Sequence, residues 1–228
     1  TRQMQINRDR YGIVGQAVLV SHRGEVVFRG ADGVTDLVSR KPVTVDSVFE
    51  MFSVAKLFVS TLVMQLVEQG KVGLDEPASR YVKGLPEAWR RISVREFLDH
   101  ASGVPEYFGE DMEKAVFPAT MAAVFDGLAN KPLLFPPGSD VRYTQTNYLV
   151  LSALLEAVYG KPYPQIARER IIDRLHLSHT WLGVASVPPD NLMKIYKGKE
   201  DKPVVETRIA WPTYTFGHSS LYSTLDDM

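Results

Sequence analysis

The sequence predicts an α+β protein, on three observations. A β-rich opening stretch carries a hairpin signal, a long middle stretch has helical texture, and a final stretch returns to extended and turn-like sequence. Strands and helices grouped along a chain, rather than alternating, are the pattern of that fold class. The boundaries fall at 1–50 for the N-terminal strands, 51–183 for the mainly helical region and 184–228 for the return.

In the first stretch, Gln16–His22 and Glu25–Arg29 flank Arg23-Gly24, a turn pair that predicts a hairpin. Gly30-Ala31-Asp32-Gly33 is expected to close it. In the middle stretch, Ser53–Gln69 carries apolar residues on nearly every face, the pattern of a helix buried at the centre of a domain. Gly70 stands where a helix C-terminal glycine belongs. Ser93-Val94-Arg95-Glu96 has capping-box spacing and should start a short helix ending near Ala101. Thr120–Leu128 and Thr146–Tyr159 read as further helices, the second stopped by Gly160. Pro164 suits the first turn of another, running to about Leu175. At the end, Ser223-Thr224-Leu225-Asp226-Asp227 places a capping residue before acidic ones, which is how a helix starts. A helix that starts so close to Met228 sets the expectation of a truncated C-terminus. Thr1 in first place suggests an N-terminal segment removed as well.

Composition narrows the partners more than the chemistry. The chain has 26 basic and 27 acidic residues, a formal charge of −1, and no basic cluster suited to nucleic acid or a membrane surface. It has no cysteine, which rules out disulfides, thiol nucleophiles and thiolate metal sites. No apolar run approaches the ~18 residues of a membrane span.

The chemical signal is Ser53-Val54-Ala55-Lys56. A hydroxyl is a weak nucleophile at neutral pH and needs a base within hydrogen-bond reach. Residues i and i+3 share a helix face, so the Lys56 amine can fold back on Ser53. Burial disfavours the charged ammonium and would let Lys56 accept a proton near neutrality. Ser53, at the start of its helix, also has its own N–H free for an oxyanion. A third reactive group is Tyr143, which follows Pro136-Pro137-Gly138 and precedes a predicted helix.

Phe49-Glu50-Met51-Phe52-Ser53-Val54-Ala55-Lys56 resembles the active-serine motif of class C β-lactamases, D-alanyl-D-alanine carboxypeptidases and related esterases. Further segments resemble landmarks of that penicillin-recognising family in the same order: Leu74-Asp75-Glu76-Pro77, Phe97 to Pro105, Phe135-Pro136-Pro137-Gly138 with Tyr143-Thr144-Gln145, and Leu221 to Met228. The resemblance implies an α/β sandwich in which an antiparallel sheet is flanked by helices, with a mostly helical subdomain after the serine helix and the site between the two. It implies that Ser53, Lys56 and Tyr143 are catalytic, acting on a small-molecule or peptide substrate with a carbonyl, without metal or cofactor. The composition leaves the compartment open, and the resemblance favours a periplasmic or extracellular setting. Gln145 occupies the place of the family's usual Asn and is expected to bind substrate from a shifted position. The family's third motif, a Lys- or His-led triplet ending in Gly on a strand, is expected beyond Met228, in a segment of the same or another chain. Two readings remain open: an acyl-serine hydrolase of the peptidase, β-lactamase or esterase type, and a catalytically silent binding protein on the same scaffold.

Other residues carry blander readings. Tyr107 and Phe108 could line a substrate cleft or pack in the core. His100 reads as a structural hydrogen-bond former, His176 and His179 as a surface pair, and Trp181 and Trp211 as core. Gly217-His218-Ser219-Ser220-Leu221 begins like a nucleophile elbow but lacks its closing glycine.

Overall fold

The computed structural model describes residues 2–109, 115–199, 202–207 and 209–228. They form two compact units: one of Thr1–Met51, Ser178–Ala210 and Tyr222–Met228, the other of Phe52–Leu177 and Trp211–Leu221.

The first unit opens with a helix that the sequence pattern did not suggest, α1 (Arg2–Tyr11), which buries only Met4. The predicted hairpin follows as β1 (Gly15–His22) and β2 (Glu25–Gly33). Its turn has left-handed backbone at both Arg23 and Gly24, the twist-matched form for two-residue hairpins. The Gly30–Gly33 segment does not close the unit. It continues the strand, with Gly33 opposite Gly15 and a register shift between Val20 and Ser21. Glycine permits that close pairing, since a Cβ on Gly15 would stand 2.5 Å from the Val34 carbonyl oxygen.

A small sheet joins β3 (Phe49–Glu50), β4 (Thr180–Leu182) and β7 (Leu221–Ser223) in the order β3-β7-β4. Strand β4 lies within the stretch expected to be helical. Val48, Val187 and Tyr222 form a buried cluster here, with Trp181 and Leu192 packed on it. A separate hairpin pairs β5 (Ile195–Lys199) with β6 (Lys202–Thr207). The helix start expected at Ser223 is absent: Ser223 is the last residue of β7, and Leu225–Asp227 form a turn. The side chains that would cap a helix are engaged elsewhere. Ser223 shares a 2.8 Å hydrogen bond with Thr180, Asp226 pairs with Arg29, and Asp227 accepts from the His179 N–H and the Thr180 hydroxyl.

The second unit is helical, built on α2 (Ala55–Glu68), α3 (Val94–Leu98), α4 (Met121–Leu128), α5 (Gln145–Tyr159) and α6 (Tyr163–Ala167). Helix α2 packs against α5, and Leu62 and Leu66 on the one and Leu149, Leu151 and Leu155 on the other are all fully buried. Each such leucine is worth roughly 1.5–3 kcal/mol of transfer free energy. The helix is not buried all round, however. Leu57 and Met64 stand 64% and 46% exposed, so an apolar pattern on every face overstated its burial. The capping box forms as read: Ser93 accepts from the Glu96 N–H while the Glu96 carboxylate accepts from Ser93 N–H. Helix α3 stops at Leu98, short of Ala101. The helix predicted to reach Leu175 is α6 followed by a π-helical turn, Arg168–Ile172.

Candidate active site

Ser53 does not begin the long helix itself. It sits in a 3₁₀ turn, Phe52–Val54, that leads into α2. Phe52 has φ +43°, a conformation that costs a non-glycine residue about 1–3 kcal/mol and persists only where its surroundings impose it. The turn leaves Ser53 exposed while Lys56, three residues on, is only 6% exposed.

Lys56 Nζ lies 3.1 Å from Ser53 Oγ and donates to the Gln145 side-chain oxygen at 2.5 Å and to the His218 carbonyl at 3.1 Å. The rings of Tyr143 and Tyr148 flank it at 4.8 and 5.5 Å. Burial lowers its ammonium from the usual 10.5 to about 7, while the carboxylate of Glu106 acts in the opposite direction. On the other side of the nucleophile, the Tyr143 hydroxyl donates to Ser53 Oγ at 2.7 Å. The hydroxyl of Ser53 therefore stands between a buried amine and an exposed phenol.

The segment His100–Glu106 places Tyr143. His100 is in the left-handed region, at φ +58°. Its carbonyl accepts the Arg142 N–H at 3.0 Å, and its ring lies 4.5 Å from the Tyr143 ring. Asn147, on the first turn of α5, bridges His100 Nδ1, Ser102 and Thr144. A neutral His100 suits this position, since burial beside Lys56 lowers its imidazole to about 4. Gly103 must be glycine: it has φ +73°, and an added Cβ would meet the Phe135 carbonyl oxygen at 2.2 Å.

The structure thus brings Ser53, Lys56, Tyr143 and Gln145 together within one unit, although the last two lie about 90 residues along the chain from Ser53. The Gln145 side-chain oxygen faces Lys56, and its backbone N–H donates to Glu106 at 2.8 Å. Tyr107 is half-buried. Its hydroxyl meets His218 Nε2 at 3.1 Å, and its ring packs on Phe108 and Phe117. Burial raises the Tyr107 phenol well above its ordinary range.

Sequence reasoning gave no site role to two residues, one of them in the segment that begins like a nucleophile elbow. His218 is fully buried, with Nδ1 on the Ser219 hydroxyl and its imidazole held well below the usual value by burial, and its carbonyl is an acceptor for Lys56. Glu106 was the other. The signal for both was a titratable residue in a largely apolar, glycine-bearing segment beside a recognised landmark. Among the described residues no group of His, Cys, Asp or Glu is arranged to hold a metal ion. No helix of the described residues is long and apolar enough to cross a membrane.

The sequence model of the family described as Beta-lactamase matches residues 2–228. This chain belongs to the β-lactamase family. Its relatives there are named as penicillin-binding proteins, an esterase, β-lactamases and D-aminopeptidases. They include Penicillin-binding protein 4* of Bacillus subtilis, 27% identical over 68% of this chain and 35% of that protein. The esterase EstB of Burkholderia gladioli is 27% identical over 84% of this chain and 52% of its own. A D-aminopeptidase of Brucella anthropi is 28% identical over 94% of this chain and 41% of its own. Among solved structures, the octameric penicillin-binding protein homologue from Pyrococcus abyssi matches with a TM-score of 0.86 at 21% identity, covering 99% of this chain and 53% of that one. EstCE1, a hydrolase with promiscuous acyltransferase activity, gives 0.82 at 25% identity, covering 98% and 68%. The fold seen here, helices with small antiparallel sheets, matches the fold of those neighbours. The β-lactamase-family chain described above spans about half the length of the curated relatives it matches, or less.

Proposed function

We propose that this β-lactamase-family protein is a serine hydrolase that transfers the acyl group of an amide or ester to Ser53 and then to water. One observation carries the reading: the exposed Ser53 hydroxyl lies 3.1 Å from a buried lysine whose ammonium is lowered to about 7, and 2.7 Å from the Tyr143 hydroxyl. With Lys56 neutral, two of its protons serve Gln145 and His218 and its lone pair faces Ser53. Ser53 gives its proton to that amine as the Oγ–acyl bond forms. The leaving group departs with a proton from Tyr143, which regains one from the Lys56 ammonium. Water then repeats the sequence on the acyl-serine.

The names of the relatives, penicillin-binding protein, esterase and D-aminopeptidase, support amides and esters as the substrate class. The test is covalent labelling of the full-length protein with a fluorescent penicillin and a fluorophosphonate, followed by mass spectrometry. The adduct should sit on Ser53 and vanish in Ser53→Ala with the fold retained. An adduct on Ser102 or Ser219, or labelling that survives in Ser53→Ala, would overturn the assignment. No adduct at all would leave a silent binding scaffold.

A further inference from the structure

Glu106 has no part in the steps above, yet it is built into the site. Its carboxylate accepts the Gln145 N–H at 2.8 Å, the Tyr107 N–H at 3.0 Å and the Thr146 hydroxyl at 3.4 Å. Thr146 is fully buried and also donates to the Pro105 carbonyl at 2.8 Å, which pins the loop to the first turn of α5. A carboxylate at a helix N-terminus, supplied with two backbone N–H donors and a longer contact to a hydroxyl whose proton is shared with the Pro105 carbonyl, is stabilised by the aligned peptide dipoles and by those bonds. The same turn presents the Gln145 side chain to Lys56.

We infer that Glu106 is a positioning residue for the Ser53–Lys56 pair, fixing the α5 turn that carries Gln145 and supplying the negative charge that balances the buried Lys56 side chain. The inference rests on the acyl-serine reading for its catalytic meaning, while the positioning stands on the chain of hydrogen bonds from Glu106 to the Gln145 N–H and from Lys56 to the Gln145 side-chain oxygen. Around Lys56, the titratable groups are Tyr143 ahead of α5, Tyr148 on α5, His100 on the loop after α3, and His218. Burial disfavours the imidazolium of both histidines, and Lys56 itself adds to that effect. Asp99 acts on His100 and Tyr148. Among the described residues, Glu106 is the anion that acts on Lys56. The coupling is mutual: burial raises the Glu106 carboxyl, and the hydrogen bonds from Gln145, Tyr107 and Thr146 and, after them, Lys56 oppose that rise without cancelling it.

The sign follows directly. Removing the Glu106 charge leaves burial unopposed, so the Lys56 ammonium falls further and the neutral amine appears at lower pH. The experiment is an NMR titration of carbon-13-labelled lysine in the full-length protein, with Lys56→Arg to assign the resonance. In Glu106→Gln, which keeps a hydrogen-bond acceptor but not the charge, Lys56 should titrate about one unit lower than in the wild type. Glu106→Asp should restore most of the difference. The acid limb of kcat/KM for a nitrophenyl ester should move with it. An unchanged Lys56 titration in folded Glu106→Gln overturns the inference and leaves Glu106 as a helix cap alone. Should that variant not fold, the reciprocal measurement decides: the Glu106 carboxyl should titrate at higher pH in Lys56→Met than in the wild type, and equal values overturn the coupling. Neither titration needs turnover, so a protein that never acylates Ser53 would sink the proposed function without touching this result.

Discussion

At the scale of single residues, the site is a problem in keeping one lysine uncharged. Lys56 is buried, it hydrogen-bonds to oxygens of Ser53, Gln145 and His218, and burial outweighs the opposing pull of Glu106. A base at about 7 is half neutral near physiological pH, close to the optimum for general-base work. Activity should therefore rise with pH through an acid limb near 7, the pH at which Lys56 loses its proton. Replacing Lys56 by Ala, or Tyr143 by Phe, should each slow acylation by at least ~100-fold, the scale of a lost proton-transfer partner. Stopped-flow acylation with a chromogenic β-lactam or ester checks both. Near-normal rates in the two variants would mean that the base lies elsewhere, with His100 the next candidate.

At the scale of elements, the site depends on how closely three segments approach. The 3₁₀ turn at Phe52–Val54 exposes the nucleophile, the His100–Glu106 segment seats Tyr143, and the Gly217-His218 segment brings a carbonyl to Lys56. Gly217 makes the last approach possible. A Cβ there would stand 2.2 Å from Ser152 Oγ on α5 and 2.9 Å from a Val59 methyl on α2. Gly217→Ala should destabilise the protein by about 1–3 kcal/mol through overpacking. Because the strain falls on the acceptor for Lys56, acylation should slow as well. Denaturant unfolding with parallel acylation kinetics measures the two effects, and an unperturbed variant would show that the segment can shift freely.

At the scale of the whole molecule, the buried bases make stability depend on pH. His100 is held at about 4 against an ordinary 6.5, so between those values the unfolded chain carries a proton that the folded one lacks. Its contribution is complete above 6.5 and declines as pH falls toward 4. His218, lowered by the same cause, acts in the same direction. Lys56 adds a second window, since the fold should strengthen as pH rises from about 7 toward 10.5. Glu106 runs the other way, because a raised carboxyl favours the folded state at low pH. The two histidines are expected to dominate between 4 and 6.5. Thermal midpoints should fall as pH is lowered from 6.5 to 4, and His100→Gln should flatten the slope. Equal slopes for the variant and the wild type would remove His100 from the account.

What the sequence determined by itself was local. The Arg23-Gly24 turn, the Ser93–Glu96 capping box, the helix read over Thr146–Tyr159 with its stop at Gly160, and the Ser53–Lys56 spacing each depend on residues within a few positions of one another. Tyr143 and Gln145 were legible because they stand in an ordered set of family landmarks. The helix at Arg2–Tyr11 was not, since it lacks an apolar stripe, and the expected helix at Ser223 yielded to long-range bonds with Thr180 and Arg29. Only the tertiary structure decided that Glu106 caps α5 against Lys56 and that the His218 carbonyl, 162 positions from Lys56, completes its acceptors. The physical reason is common to both. Burial and the charges that oppose it come from neighbours in space, and chain spacing encodes neighbours only within a turn or two of helix.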